Sequence, residues 1–449
     1  MMDVSGYRAA LTAAGGDGLW AEVNAHENGS MLVCVVNGEV ERTAANLQTA
    51  LYVRAGGEQT GVAYTQDAEE NPTEVIRRAV ENGKYGEGGS TDVLLEAKQE
   101  HCARETSPAA VETLVAIGKE ACEQARLQTP DLQYVKAEVR ADTWRNAVVN
   151  SKGLDVDASR QVYCAALSAM AQRAGKQYNA QAHVTAATPE GLQLRAAAAR
   201  VAQAMERQFE PVRLQSGAYP TVLDSSVVIN IFTTAWQLFA ATKVLGGSSA
   251  FYGRLGHTIG SKALTVTDRA AREGCGYVFP VDDEGASGQD TALMRNGVLT
   301  GLLHTGATAE KMGVKRTGNS GRVALLTGSI PTELIPVPKI LCVEPGQRSR
   351  AELLASMGDG VLIAQSFDVF HSINIGSGDF SIPCRGSVVR DGVCAYNVTG
   401  LTLSGNLNDL FANVEAAGND LWIDEFLLKS YCIGAPSLQI RQMQVNGKG

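Results

Sequence analysis

The first 85 residues alternate apolar and polar positions in short runs before one amphipathic helix. Trp20 to Asn24 and Met31 to Val36 are rich in β-formers, and Asn37-Gly38 suits a tight hairpin because both positions accept positive φ; Glu39 to Glu41 begins the return strand. Leu51 to Arg54, the Gly56-Gly57 break and Gly61 to Tyr64 predict another strand pair. Asn71-Pro72 with Glu74 supplies a cap, a proline at the first helical position and an acidic first turn, so a helix is predicted to about Asn82, ending at Gly83.

Tyr85 to Ser107 is polar, glycine-bearing and mixed in charge, and reads as a linker. Ser107-Pro108 then caps a second helix that carries Val111, Leu114, Val115 and Cys122 toward one side. Val135, Ala137, Val139 and Ala141 alternate with Lys136, Glu138 and Arg140, the period of a sheet with one face buried. Asn150-Ser151-Lys152-Gly153 and Gly175-Lys176 are turns that set off strands around Gln161 to Met170 and Tyr178 to Ala187. Leu194, Ala198, Val201 and Met205, spaced four, three and four apart, predict a helix.

From Thr221 the texture changes to short apolar runs divided by glycines: Val227 to Phe232, Val298 to Leu303, Val361 to Ala364, Ser387 to Val389 and Leu401 to Leu403, all read as strands. The expected class is α+β, an N-terminal α/β domain with antiparallel sheets and helices followed by a large β-rich C-terminal domain. The expected units are 1–85, 86–215 and 216–449.

Composition sharpens this picture. With 449 residues, 45% of them hydrophobic, a sizeable core is available and disorder is excluded as the main state. A net charge of −9 without any Lys/Arg-rich run argues against nucleic acid as a partner. The start, Met1 to Gly15, lacks a basic region followed by an apolar stretch, and no apolar run is long enough to cross a membrane. The nine scattered cysteines, without a C-x-x-C, read as reduced thiols, so a soluble cytoplasmic protein is expected.

Several motifs can be tested and dropped. Gly256 to Lys262 has three residues between its glycines where a P-loop needs four, and Gly376-Ser377-Gly378 lacks the third glycine of a dinucleotide loop. Gly318-Asn319-Ser320-Gly321 has the wrong spacing for a nucleophile elbow. The six histidines never pair at i, i+4 or i, i+5, and adjacent His101 and Cys102 point apart on either a strand or a helix, as in a polar linker.

What remains is an ordered string of acidic and glycine signatures: Val281-Asp282-Asp283-Glu284-Gly285, Asn296-Gly297-Val298-Leu299, Gly376-Ser377-Gly378-Asp379-Phe380-Ser381, Ser404-Gly405-Asn406-Leu407 and Gly418-Asn419-Asp420. In order and spacing these resemble the TldD/PmbA family, with its F-D-D/S-E-G, N-G-V/I-L, T-G-D-F/Y-S and final G-N blocks, and the resemblance reaches over nearly the whole chain. TldD-type subunits of that family resemble zinc peptidases, with an H-E-x-x-x-H helix after the first strand of the C-terminal domain and a late cysteine as a further ligand. PmbA-type subunits, also called TldE, lack that motif. Here Ile231 to Leu245 holds no His, Asp or Glu, and Trp236, Gln237, Leu238 and Phe239 occupy the helix.

The resemblance therefore implies a PmbA/TldE-type chain with no catalytic residues and no metal of its own, zinc being carried by a TldD-type partner in a heterodimer. The pair would act on unfolded peptides or peptide precursors, with this chain completing the chamber and holding substrate as an added strand. The alternatives are a homodimeric peptide-binding scaffold without a peptidase partner and a divergent thiol hydrolase built on Cys432, whose plainer reading is a small buried hydrophobe beside Tyr431. The substrate-binding candidates are Asp282, Asp283, Glu284, Gly285, Gly376, Gly378 and Asp379; turn formation is the competing reading for the acidic block, and a bulge for the glycine block.

Overall fold

The computed structural model describes residues 4–14, 19–57, 59–67, 69–85, 93–103, 109–273, 275–323, 333–425 and 431–447. The N-terminal half runs α1 (Ser5–Ala14), β1 (Trp20–Val36), β2 (Glu39–Gly56), β3 (Thr60–Thr65), α2 (Pro72–Asn82), β4 (Lys98–Ala103), α3 (Val111–Gln128), β5 (Leu132–Asn150), β6 (Leu154–Arg173), β7 (Lys176–Ala186) and α4 (Leu194–Glu206). These strands form one seven-stranded sheet, ordered β3-β2-β1-β5-β6-β4 with β7 also on β6, so a single sheet runs across position 85.

Local chemistry explains several of these elements. Asn37 at φ 52 and Gly38 at φ 92 make the β1–β2 hairpin turn. The Asn71 side chain accepts from Thr73 N at 3.0 Å, with Pro72 opening α2. The polar segment read as a linker holds β4, which pairs in parallel with β6 and takes His101 and Cys102 into the sheet. The Ser107-Pro108 cap lies outside the described residues; α3 begins at Val111 with Ala110 at its N-cap.

The C-terminal half continues with β8 (Gly217–Leu223), α5 (Ser225–Ala235), α6 (Ala241–Leu245), β9 (Val266–Arg269), β10 (Thr291–Arg295), β11 (Val298–Leu299), α7 (Gly306–Met312), β12 (Ser320–Gly321), β13 (Ile335–Pro336) and β14 (Ile340–Val343). Then come α8 (Arg350–Met357), β15 (Gly360–Ser366), α9 (Val369–Ser372), β16 (Asp379–Arg390), β17 (Val393–Asn406), α10 (Leu407–Ala412), β18 (Val414–Ala417), β19 (Trp422–Glu425), β20 (Cys432–Ala435) and β21 (Leu438–Asn446). One six-stranded sheet is ordered β17-β16-β15-β8-β21-β18, and a further β17–β21 pairing closes five of its strands into a ring. The other is ordered β11-β10-β9-β14-β20-β19. The architecture is mixed α+β, with a β-rich C-terminal region.

Val227 to Phe232, read as a strand, is the body of α5. Val227, Val228, Ile229, Ile231 and Phe232 are all buried in the largest core cluster, so the helix is apolar on every side and shows no helical stripe. Its start is set by Asp224, whose carboxylate accepts from Ser226 N at 3.1 Å. Val298 to Leu303 likewise shortens to the two residues of β11. Among the described residues, no helix is long and apolar enough to cross a membrane.

Candidate functional site

The acidic block lies where the C-terminal half meets the N-terminal sheet. Successive inward positions of β1 alternate in character: Ala21, Val23 and Ala25 pack into one core, while Glu22, Asn24 and His26 face the other way. Glu22 and Arg54 are direct partners in the β1–β2 register, and Asn146 stands opposite His26 on β5. The result is a polar stripe on which the turn at Asp282 to Gly285 docks.

Within that turn, Asp282 Oδ1 accepts from the amides of Glu284 and Ala286, each at 2.9 Å, and Oδ2 accepts from Ser320 N at 3.0 Å. Asp283 Oδ2 accepts from Arg322 N at 2.9 Å, and Oδ1 lies 3.0 Å from His26 Nε2. Glu284 Oε1 accepts from Arg54 Nη2 at 2.9 Å, and Oε2 accepts from Gly306 N, the first residue of α7, at 2.6 Å. Arg54 also donates to Glu22 at 2.7 Å, and Arg322 donates to Asn24 Oδ1 at 2.6 Å. Gly285 has φ +78°, and a Cβ there would stand 2.7 Å from Leu154 Cδ2 and 3.0 Å from Val156 Cγ2, so the turn approaches β6 closer than any side chain permits.

The three carboxyl groups are exposed by only 2%, 6% and 1%, and their environments push them apart. Burial, aided by the neighbouring Glu284 charge, drives Asp282 well up. Burial would raise Asp283 too, but His26 and Arg322 outweigh it and hold that carboxyl far below its ordinary value. For Glu284, Arg54 and Arg316 likewise overcome burial and pull it down. Asp268, on β9, accepts from Lys339 N and from Asn319, yet burial still raises it to about 6.

Beside this network is a cavity of about 460 Å³ between the halves, bordered by His26, Tyr52, Trp144, Asp283, Arg322 and Lys339. Arg160 crosses from β6 into the C-terminal half, 4.2 Å from the Trp144 ring and 4.2 Å from that of Phe279, and donates to Val278 O at 3.1 Å. The cavity offers cations, a His26–Asp283 pair and aromatic walls, which is chemistry for holding a polar chain.

The glycine block is placed elsewhere. Gly376 N and Ser377 N donate to Asn374 Oδ1 at 2.9 and 3.1 Å, Gly378 has φ +83°, and exposed Asp379 accepts from Asn406 Nδ2 at 2.8 Å. This turn opens β16 and supports Asn406 as the cap of α10, whereas the Asp282 turn contacts β1, β2 and β5. Of the residues singled out in the sequence, the acidic block and Gly285 are brought together, and Gly376, Gly378 and Asp379 form a separate group. Glu22, Asn24, His26, Arg54 and Arg322 were missed; the alternating polar positions on β1 were the visible signal for the first three.

Zinc is implied by the resemblance, and the donor set can be tested. In Ile231 to Leu245, Trp236, Leu238 and Phe239 are buried, and Trp236 packs edge-on to Tyr431 with ring centroids 5.7 Å apart. Imidazole and carboxylate donors are absent from this segment, so it does not fit a zinc ion. Cys432 is buried on β20 in a cluster with Val162, Tyr277 and Phe279, its Sγ 3.7 Å from that of Cys275.

Comparison with known proteins adds to this geometry. Residues 216–447 match the family profile described as the PmbA/TldA metallopeptidase C-terminal domain. A metalloprotease of Methanothermobacter thermautotrophicus is 30% identical over 240 residues, 52% of this chain and 51% of that protein. Metalloprotease PmbA of Escherichia coli O157:H7 is 25% identical over 220 residues, 48% of this chain and 44% of its own length. The matched stretch thus spans about half the length of these curated relatives. Among solved structures, a proposed modulator of a DNA gyrase from Thermotoga maritima superposes with a TM-score of 0.84 at 24% identity, covering 99% of this chain and 100% of that one. TldE from Thermococcus kodakarensis gives 0.81 at 17%, covering 98% and 100%. These two likenesses concern the fold.

Proposed function

The chain belongs to the PmbA/TldD family, and on that premise we propose that it is the non-zinc, TldE-type subunit of a two-subunit peptidase acting on unfolded peptides or peptide precursors. The observation that carries this reading is the segment Ile231 to Leu245, which holds no His, Asp or Glu and is largely buried, at the place where the resemblance puts the ligands of the zinc subunits. A TldD-type partner then supplies the metal and the hydrolytic chemistry. This chain completes the chamber and holds substrate. The fold likeness to TldE supports the choice of subunit type.

In this reading the acidic block acts by position. Asp282, Asp283 and Glu284 fix the N-terminal sheet against the C-terminal half, and Asp283 with His26 then forms part of the cavity wall. The test is reconstitution. The chain alone should hydrolyse no unstructured peptide and should retain no stoichiometric zinc after dialysis, and mixing it with a TldD-type subunit should create peptidase activity. Hydrolysis by the chain alone would overturn the assignment, and loss of that activity in Cys432→Ser would point to a thiol hydrolase. Peptide binding by a stable homodimer that no TldD-type subunit activates would favour the scaffold.

A further inference from the structure

A second cleft, of about 740 Å³, opens where α4 and β7 of the N-terminal half face α5, α8 and β15. Arg200 enters it from α4, Arg207 from the C-cap of that helix, Arg350 from the first turn of α8, and Arg385 from β16. Their carboxylate complement is short. Asp424 pairs with His183, and Asp420 is turned to Ser437, accepting from its amide and hydroxyl at 2.9 and 2.7 Å.

That leaves Asp224, which accepts from Arg350 at 2.5 Å, stands 3.8 Å from Arg207 and already caps α5. Arg200 donates to Ser225 Oγ at 3.3 Å and lies 3.6 Å over the Trp422 ring, while Arg385 donates to Gln365 Oε1 at 2.7 Å. Among the described residues, then, Asp224 answers Arg350 and Arg207, Arg200 feels Asp224, Asp424 and Asp420 without an ion pair of its own, and Arg385 has no carboxylate partner. Burial pushes Arg200, Arg207 and Arg385 below the ordinary arginine value, because each guanidinium has lost hydration that its protein partners replace only in part.

A planar guanidinium fork matches a carboxylate in two hydrogen bonds, and several of them converging in a partly dry cleft select for one. The adjoining wall is small and apolar, formed by Ala182, Ala196, Ala199 and Ala204. It leaves room for the backbone and short side chains of an extended peptide beside the charged end. We propose that this cleft seats a peptide carboxylate through Arg200, Arg207 and Arg385. The proposal rests on the peptide-handling reading above and names the part of the substrate this chain grips.

The carboxylate has two possible sources, the chain terminus or an acidic side chain. The probes are an octapeptide of Ala, Gly and Ser carrying an uncharged fluorophore without a carboxyl group at its N-terminus, the same peptide amidated at its C-terminus, and the amide with one internal Glu. Each is titrated against the full chain by fluorescence anisotropy. The free acid should bind at least tenfold more tightly than the plain amide. The double variant Arg207→Gln, Arg385→Gln should lose that tenfold preference for the acid over the amide, and Arg207→Lys with Arg385→Lys should recover part of it. Recovery of affinity in the Glu-bearing amide assigns the site to acidic side chains as well as to the terminus.

Equal affinities for acid and both amides would overturn the cleft assignment while leaving peptide binding intact. Inorganic phosphate that binds the cleft without any discrimination between acid and amide would overturn it too. No binding of any peptide would overturn both this proposal and the reading it rests on. The comparison of acid with amide on the unaltered chain needs no variant, so misfolding of a variant cannot rescue the proposal.

Discussion

The two halves of the chain meet along two seams of opposite electrostatic design. At the first, Glu22, Asp282, Asp283 and Glu284 face Arg54, Arg316, Arg322 and Lys339, and the acidic turn is held by hydrogen bonds from both halves, among them those from Ser320 N, Arg322 N, Gly306 N and Arg54. At the second, Arg200, Arg207, Arg350 and Arg385 line one cleft, and among the described residues Asp224 is the carboxylate that forms ion pairs with any of them. A buried charge that is paired and hydrogen-bonded belongs to the fold, and removing its partner leaves a desolvated ion behind. A seam with surplus charge has given up stability for the capacity to take an ion from outside. The first seam therefore sets the relative position of the halves, and the second is where a ligand gains most.

The largest expected effect breaks the first seam. Arg54→Gln removes the cation shared by Glu22 and Glu284, both of which are about 1% exposed. Two buried carboxylates then lack their principal counter-charge, and the chain should lose about 3–5 kcal/mol in denaturant unfolding. A loss under about 1 kcal/mol would show that the seam is hydrated and that the contrast between the seams is false.

Next in size is a pH effect. Asp268 is held at about 6 by burial, above its unfolded value. A raised carboxyl contributes stability that is fully present below the unfolded pKa, near 3.9, and is lost as pH rises through about 6. Asp283 and Glu284 are depressed, so their contribution is present above the unfolded values and is lost only as pH falls. Between about pH 4 and 7 the wild type should thus lose on the order of 2–3 kcal/mol through Asp268, on top of any loss through Asp282. Asp268→Asn should flatten that slope, whatever its effect on absolute stability. An unchanged slope would remove Asp268 from the account.

How much of this was legible in the sequence depends on the range of the interactions. Asn37-Gly38 and Asn71-Pro72 act within a few residues, and the structure uses both as read. Helix α5 was misread because β-branched residues on every side carry no stripe, although Asp224-Ser225-Ser226 is a capping signal that stood just before it. Strand β4 was hidden in a polar segment because its order comes from parallel pairing with β6, more than 50 residues away. The acidic block stood out, yet its partners did not: Arg54 reaches Glu284 across 230 residues, and Arg322 reaches Asn24 across 298. The arginine cleft draws on α4, α8 and β16, which no local pattern joins.

A smaller effect tests how closely the first seam is fitted. Gly285→Ala places a methyl group 2.7 Å from Leu154 Cδ2 at a backbone φ of +78°. Strain and overpacking together should cost about 1–2 kcal/mol, seen as a lower midpoint with an unchanged denaturant slope. A neutral result would mean that β6 yields at this point and that the seam depends on charge alone.

The smallest effect is the most telling, because it repeats the first substitution on the other side of the comparison. Arg207→Gln makes the same chemical change as Arg54→Gln, in a side chain that is also largely buried. Its nearest acid, Asp224, keeps Arg350 at 2.5 Å and its own helix-cap hydrogen bond to Ser226 N. No carboxylate is left alone, and one of several mutually repelling cations is gone. Stability should therefore change by less than about 1 kcal/mol, and in either direction, since lost packing of the arginine stem opposes the relieved repulsion. The two variants should be unfolded side by side in the same buffer. A loss for Arg207→Gln as large as that for Arg54→Gln would show that the cleft is a closed ion network like the first seam, and the surplus on which ligand binding depends would not exist.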